Sequence, residues 1–253
     1  MSVLTSYASA AARDSAAPAA SNTGLCIFRS DTKAIEVSDG TSYQTYNSDG
    51  VAYNFPSNSY SGVFDGAGDY ISVPSSSSLS IGGTLTITAW IRKDTTGVFG
   101  AILAKRDSTT NYQLIVRDTN VLSFYQGTTV VNDTTALSAN TWYHIAVVAT
   151  SGSTDFYING SLSSSGSGTT ITATSDNLYI GQVASSSYWD GYMDEIVIFD
   201  RALNSTEIGN IYNNKQYISP VALYRLENDV TDSVGSNDGT NNGVTFSTSV
   251  KPY

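Results

Sequence analysis

The sequence predicts an all-β protein: an antiparallel two-sheet jelly-roll sandwich with one short helix, preceded by a small β-hairpin unit and an extended N-terminal arm. Segments that alternate apolar and polar residues, such as TLTITAWIR at residues 84–92, recur along the chain. Turns rich in Gly, Ser, Thr and Asn separate them about every ten residues. Only 13% of the 253 residues are charged, and 17 Tyr outnumber 8 Phe. This composition suits half-exposed sheets better than helices.

Composition argues against several classes of protein. A formal net charge of −10, without a Lys- or Arg-rich cluster, argues against nucleic-acid binding. Cys26 is the only cysteine, so no intramolecular disulfide can form. No apolar run reaches the ~18–20 residues of a membrane span, so we expect no membrane insertion. Residues 1–20 lack the basic and apolar regions of a signal peptide, so we expect a soluble protein without its own export signal.

The chain divides into three predicted regions. Residues 1–23, rich in Ala and Ser, are predicted to form an arm that is either flexible or ordered by a partner. Residues 24–52 predict a small hairpin unit, because two β-rich runs flank RSDTK and a second tight turn follows at Asp39-Gly40. Such a unit buries too little surface to be stable alone and must dock or oligomerise. Residues 53–253 are predicted to form the jelly roll.

One helix is predicted in the segment LNSTEIGNIYNN, residues 203–214. Asn204 can cap its first turn, and Glu207 stands three positions later, as in a capping box. Ile208, Ile211 and Tyr212 share one face. We expect the helix to cover one end of the sandwich as a short lid.

Several segments in order resemble the laminin-G-like or concanavalin-A-like jelly-roll family. The resemblance covers residues from about 60 to 214, and it is carried by GVFDGAGDYISVPSSSSLSIGGTLTITAWIR, LSANTWYHIAVVA, FYINGSL, LYIGQV and WDGYMDEIVIFDRALNSTEI. It implies a sandwich of two antiparallel sheets. It also implies binding of carbohydrate or protein, often with a structural calcium ion.

The segment VALYRLENDVTDSVGSNDGTNNGVTF, residues 221–246, resembles the opening strand of this family but follows the helix. The order therefore resembles a circular permutation, with the first strand of the jelly roll supplied by about 218–250. Ala222, Tyr224 and Leu226 are expected to complete the sheet beside EIVIF. Two alternatives stay open: the strand crosses to a neighbouring subunit, or it begins a second domain.

The hairpin region GLCIFRSDTKAIEVSDGTSYQTY resembles a short unit of bacteriophage fibre and other virion proteins. We therefore expect a virion structural protein, either a fibre, an appendage or a capsid decoration. Its predicted partners are other virion proteins through residues 1–52, and host or environmental polysaccharide through the jelly roll. Self-association into a homo-oligomer is left open. The alternative is an extracellular carbohydrate-binding module of a secreted or surface protein.

The sequence contains few side chains that are placed to catalyse a reaction, so we expect no enzyme activity. His144, the only histidine, lies inside a strand-like segment, and Cys26 has no neighbouring base. In MDEIVIFD, regular alternation places Asp194 and Glu195 on opposite faces of a strand, with Asp200 beyond its end. A glycosidase needs two carboxylates on either side of the glycosidic bond that it cleaves. Asp194 and Glu195 on opposite faces of one strand do not form such a pair.

Three carboxylates are predicted to bind a structural calcium ion. Asp65 and Asp69 lie on the Gly-rich turn FDGAGDY, where backbone carbonyl groups are free to bind a hard cation. The family resemblance brings this turn near DGYMDEI and so adds Asp194 as a ligand. The alternative is that Asp65 only forms a tight turn and Asp194 only caps a strand end.

Aromatic residues are the candidates for sugar recognition, because sugars stack their apolar face on aromatic rings. Tyr125 and Tyr188 are the predicted carbohydrate-binding residues. Trp189 occupies the position where the family resemblance implies a bulky structural residue. Trp90 and Trp142 lie in predicted strands and are expected to pack the sandwich.

Overall fold

The computed structural model describes residues 58–106, 111–183 and 187–253 with their side chains, and the backbone of five strands among residues 5–53. Clustering of contacts divides the chain into two compact units. The first comprises residues 1–56 with 215–219, and the second comprises 57–214 with 220–253. Within the described part of the chain, no helix is long and apolar enough to span a bilayer.

The first unit contains a four-stranded sheet in the order β1-β2-β3-β4, in which β1 is parallel to β2 and the other pairs are antiparallel. Its strands are β1 Thr5–Tyr7, β2 Cys26–Arg29, β3 Ala34–Ser38 and β4 Tyr43–Asn47. The predicted hairpin around RSDTK corresponds to β2 and β3. The predicted arm at residues 1–23 includes β1, and its other residues lie outside the described ones.

A second, two-stranded sheet in the first unit joins segments that are distant in the sequence. Strand β5, Ala52–Tyr53, pairs in antiparallel fashion with β18, Tyr217–Ile218. The first unit therefore includes residues 215–219, which interrupt the second unit in the sequence and which the predicted boundaries of 24–52 do not include.

The described residues of the second unit form fifteen strands and one helix. The strands are β6 Ser61–Asp65, β7 Tyr70–Val73, β8 Leu85–Lys93, β9 Gly100–Lys105, β10 Tyr112–Val116, β11 Val121–Gln126, β12 Thr129–Ala136, β13 Trp142–Ala149, β14 Ser153–Ile158, β15 Ser161–Ser167, β16 Leu178–Ile180, β17 Asp190–Phe199, β19 Ala222–Tyr224, β20 Thr240–Asn242 and β21 Thr245–Ser247. The helix is α1, Ser205–Asn214.

These strands form two antiparallel sheets. The seven-stranded sheet has the order β12-β11-β10-β9-β16-β7-β20, and the eight-stranded sheet has the order β15-β14-β13-β8-β17-β6-β21, with β19 beside β17. Apolar side chains from both sheets form one buried cluster between them. The predicted all-β jelly-roll sandwich is confirmed.

Strand β8 shows how alternation builds the core. Leu85, Ile87 and Ile91 belong to the cluster between the sheets, as the period of two predicts. Thr88 and Trp90 point to the other side of the sheet, yet they are buried too. The ring of Trp90 lies 5.6 Å from that of Tyr212 on α1, which covers this side.

Helix α1 begins with the predicted capping box. The Asn204 side-chain oxygen accepts hydrogen bonds from the backbone N–H groups of Thr206 and Glu207, each at 3.0 Å, and Glu207 accepts from the Asn204 N–H at 2.8 Å. The Tyr212 ring also lies 5.7 Å from that of His144 on β13. The helix therefore packs on the outer face of the eight-stranded sheet, and the expected lid over one end of the sandwich is wrong.

The C-terminal segment supplies strands to both sheets. Ala222 pairs with Ile198 and Tyr224 with Ile196, so β19 lies beside EIVIF within the same chain, as expected. Leu226 is buried but lies beyond the strand, with a positive φ of 54°. Strand β20 then extends the seven-stranded sheet beside β7, and β21 extends the eight-stranded sheet beside β6.

Candidate functional site

The seven-stranded sheet turns one continuous row of side chains away from the core. The register places directly paired residues from all seven strands in this row, which we call the outer row. Its members are Val130, Tyr125, Gln113, Ala104, Tyr179, Ser72 and Thr240. Their neighbours along the strands, such as Leu114, Phe124 and Ile180, lie in the core. Alternation therefore directs the outer row to the other face.

The outer row lies beside a small apolar cluster on the same face. Ala101, Ala104, Ile115 and Val183 are buried together, and the half-buried Tyr125 packs against them. A sheet face that looks away from the core is normally exposed, whereas these side chains are buried. We call this part of the outer face the sunken face.

Three buried amide side chains lie at this face or at the strand ends next to it. Gln113 is 5% exposed, Asn111 directly before β10 is 2% exposed, and Gln182 beside Val183 is 4% exposed. Among the described residues, the side-chain oxygens of Gln113 and Gln182, and both polar atoms of Asn111, find no hydrogen-bond partner. Leaving such an atom unsatisfied costs about 1–3 kcal/mol, so these groups are suited to a polar ligand.

Tyrosine rings flank the amides along the sheet. Tyr125 is paired with Gln113, and Tyr179 lies two strands further on, with its ring 6.2 Å from that of Tyr70. Tyr188 is half-buried and follows Ser187, whose carbonyl oxygen accepts a hydrogen bond from the Ala101 N–H at 2.8 Å. Both predicted carbohydrate-binding residues thus belong to strands or loops of this sheet, and their binding role stays a prediction.

Sequence reasoning missed the three amides. In NYQLIVRD, Gln113 stands at an alternate position between the buried Tyr112 and Leu114, which marks it as facing away from the core. That pattern usually indicates a solvated side chain. Its burial depends on neighbouring segments that cover the face, and the pattern of a single strand carries no signal for them.

Two of the predicted calcium ligands lie together on the turn between β6 and β7. The Asp69 carboxylate accepts a hydrogen bond from the Asp65 N–H at 3.1 Å, and Asp65 accepts from the Ala67 N–H at 2.8 Å. Burial, and next the charge of Asp65, raise the pKa of the Asp69 carboxyl. Both carboxylates therefore already stabilise the turn itself.

The third predicted ligand lies apart from this turn. Asp65 is paired with Asp190, and Asp194 lies four residues further along β17, or about 13 Å at the rise of a strand. Among the described residues, no three His, Cys, Asp or Glu side chains converge where they could hold a metal. The three ligands do not form one set, and calcium binding at the Asp65–Asp69 turn stays a prediction.

A bulge overturns the predicted geometry of the two carboxylates on β17. The register against β8 shifts after Asp194, and Glu195 adopts a positive φ of 46°. Met193 and Ile196 both lie in the core, so two residues instead of one separate these inward-facing positions. The regular alternation that would place Asp194 and Glu195 on opposite faces is therefore lost, and both side chains are buried. Glu195 lies 3.2 Å from the Arg225 guanidinium and accepts a hydrogen bond from the Tyr253 hydroxyl, while Asp194 accepts one from the Asn58 amide at 2.5 Å.

The histidine and the three tryptophans considered in the sequence contribute to packing. His144 is buried, with its ring 5.4 Å from that of Trp90. Trp189 lies in the core, as the family resemblance implied. Trp90 packs on the outer face of the eight-stranded sheet, where it is buried, and Trp142 is half-buried, 6.3 Å from the ring of Tyr192.

Solved structures with the same fold have low sequence identity to this chain. A candidate carbohydrate-binding protein from Bacteroides ovatus is 20% identical, with a TM-score of 0.63 over 90% of this chain and 70% of that one. The heptameric SAP-like pentraxin of Limulus polyphemus is 15% identical, with a TM-score of 0.57 over 78% and 98%. The binding domain of Paraclostridial Mosquitocidal Protein 1 is 16% identical, with a TM-score of 0.51 over 78% and 53%.

The search of curated proteins found no match to the chain. Residues 65–209, more than half of the chain, match the family described as the Concanavalin A-like lectin/glucanases superfamily. This range contains most strands of both sheets and every amide of the sunken face. The chain is therefore a lectin-like jelly roll that belongs to the concanavalin A-like lectin/glucanase superfamily, as the sequence resemblance predicted.

Proposed function

We propose that this protein is a non-enzymatic carbohydrate-binding module, which holds a polysaccharide across the outer row of the seven-stranded sheet. The observation that carries the proposal is the set of buried amides with unsatisfied atoms, Asn111, Gln113 and Gln182, beside the ring of Tyr125. Amide groups donate to and accept from sugar hydroxyls, and aromatic rings stack on the apolar face of a pyranose. A bound sugar would therefore supply hydrogen bonds to the amides and an apolar face that stacks on the Tyr125 ring.

Two further observations support this proposal. The protein belongs to a family of lectins and glucanases, and the similar Bacteroides ovatus structure is described as a candidate carbohydrate-binding protein. On the other sheet, the carboxylates that a glycosidase would need are buried, and Glu195 is paired with Arg225. Binding without hydrolysis is the function that these side chains serve best.

The test is a binding screen with soluble polysaccharides, followed by titration calorimetry on the one that binds most tightly. Tyr125→Ala should weaken binding about tenfold or more, whereas Tyr125→Phe keeps the ring and most of the affinity. Tyr192→Ala is the matched control, because it removes a half-buried tyrosine from the eight-stranded sheet. Equal affinity of wild type and Tyr125→Ala would contradict the proposal, as would polysaccharide turnover that is lost in Glu195→Gln.

The virion role stays a prediction. It rests on the resemblance of the hairpin region and assigns attachment to residues 1–52, whose side chains lie outside the described residues. Mass spectrometry of purified phage particles tests it directly. A chain that is absent from particles but present in the extracellular medium would favour the secreted module.

A further inference from the structure

Three side chains from distant segments meet beside the bulge of β17. The Lys251 ammonium group donates to the backbone carbonyl oxygen of Asn58 at 3.2 Å, and the Asn58 side-chain amide donates to Asp194 at 2.5 Å. Asn58 is 7% exposed and Asp194 is fully buried. The lysine amine thus binds the backbone of a residue whose side-chain amide binds a buried carboxyl group, at the edge of the core.

The pairing of β21 with β6 brings the Lys251 amine to Asn58. The strands are antiparallel with Ser247 opposite Ser61, and the Ser61 hydroxyl donates to the Val250 carbonyl oxygen at 2.5 Å. The chain beyond β21 therefore runs back along the segment that precedes β6, which places Lys251 beside Asn58. This placement is a property of the fold rather than of a mobile side chain alone.

Packing excludes water from the carboxyl end of this arrangement. Asp194 is paired with Trp90, whose ring lies 5.8 Å from that of Tyr253. The side-chain oxygen of Asn58 is buried and has no hydrogen-bond partner within the described ranges of the chain. An amide that donates to a buried carboxyl and leaves its own oxygen unsatisfied is costly as a structural element, and this cost calls for an explanation.

We propose that Lys251 and Asn58 become joined by an intramolecular amide bond, with Asp194 as the group that transfers the proton. The Lys251 ammonium group first loses one proton to solvent, and the neutral amine then attacks the side-chain carbonyl carbon of Asn58. A new C–N bond forms, the bond to the original amide nitrogen breaks, and the released ammonia takes up a proton from solvent. Asp194 accepts the proton that leaves the lysine nitrogen and delivers it to the departing nitrogen. A lysine ammonium and a primary amide give a secondary amide and ammonium, so no oxidant or other reactant is required.

The geometry and the charges suit this step. Lys251 already binds the backbone carbonyl of the residue it attacks, and only Cα and Cβ of Asn58 separate that carbonyl from the reacting carbon. Burial, and next the charge of Glu195, raise the pKa of the Asp194 carboxyl well above its usual range, which lets it carry a proton. Arg225 faces Glu195 and Glu227 and holds both of those charges in ion pairs.

Such a bond would fasten the C-terminal segment permanently to the sandwich. Residues 221–247 supply β19, β20 and β21, and hydrogen bonds and packing alone hold these three-residue strands in the two sheets. A covalent link from Lys251 to Asn58 closes the chain just beyond β21. Detachment of the relocated strands would then require unfolding of the whole sandwich.

Intact-mass measurement on the denatured protein tests the proposal. The linked wild type should lie about 17 Da below the mass of its sequence, which corresponds to one ammonia molecule. Trypsin should release peptides 34–92 and 226–253 as one species. Lys251→Arg keeps the charge and the hydrogen bond but cannot form the bond, so it should show its full mass. Asp194→Asn should also show its full mass, with circular dichroism to confirm that both variants fold.

Three results would each contradict one part of this proposal. A wild type that keeps its full mass after incubation at 37 °C would overturn the link. A loss of ammonia that persists in Lys251→Arg would place the reaction elsewhere, for example in succinimide formation at Asn159-Gly160. A folded Asp194→Asn variant that still yields the joined peptides would overturn the role of Asp194.

Discussion

Replacement of Gln113 by Met tests the physical argument for the sunken face, because it should stabilise the fold and weaken glycan binding at the same time. The Gln113 side-chain oxygen is buried without a partner, at a cost of about 1–3 kcal/mol. Met has a similar length and is apolar, and its neighbours across the sheet are Tyr125 and Ala104. We expect the free energy of unfolding to rise by about 1 kcal/mol, or about 2–4 °C in Tm. Affinity for the glycan should fall about tenfold.

Urea unfolding followed by tryptophan fluorescence, with and without glycan, measures both effects. Thr88→Val is the matched control: the Thr88 hydroxyl is also buried without a partner, but it lies on the eight-stranded sheet. This variant should gain similar stability and keep full affinity. A loss of more than about 1 kcal/mol in Gln113→Met would show that the amide is satisfied within the protein, and the argument for a ligand would fail.

Three further predictions concern the other parts of the molecule. Because the pKa of Asp194 is raised in the folded state, its contribution to stability is present below the ordinary value of 3.8 and is lost as pH rises through the folded pKa. The test compares Lys251→Arg, which cannot form the covalent link, with the double variant that also carries Asp194→Asn. When the free energy of unfolding in urea is measured over a pH series, this loss of stability should be absent in the double variant. Tyr224→Ala should lower the free energy of unfolding by about 3–5 kcal/mol, since the ring is buried and its hydroxyl donates to a backbone carbonyl; an unchanged melt would contradict the place of β19 in the core. If calcium binds at the Asp65–Asp69 turn, chelation should lower Tm in the wild type but not in Asp69→Asn, and an unshifted melt without bound metal would refute that site.

The sequence is a good guide to features that depend on local pattern. The alternation in TLTITAWIR correctly assigns Leu85, Ile87 and Ile91 to the core, because the two faces of a strand differ with a period of two. The capping residues Asn204 and Glu207 mark the start of α1 because their hydrogen bonds are made within one turn. The relocated strand was predictable because its residues resemble the opening strand of the family wherever they stand in the chain.

Features that depend on a partner strand or a covering segment were not predictable. Glu195 follows Asp194 in a regular-looking strand, and the bulge exists only relative to the register of β8. Gln113 occupies a position that alternation assigns to the outer face, and its burial depends on segments far away in the sequence. The contact of Lys251 with Asn58 joins residues 193 positions apart. A single sequence does not encode such pairs in any local pattern.

Nuclear magnetic resonance of the side-chain amides shows whether a glycan binds at the outer row of the seven-stranded sheet. The polysaccharide that binds most tightly in the screen would be titrated, as short oligosaccharides, into protein labelled with nitrogen-15. We predict that the amide signals of Asn111, Gln113 and Gln182 shift together with saturation. Those of Asn140 and Asn159, whose side chains bind strands of the other sheet, should stay in place. Saturable shifts confined to the eight-stranded sheet, with the three amides unmoved, would contradict the assignment of the binding face.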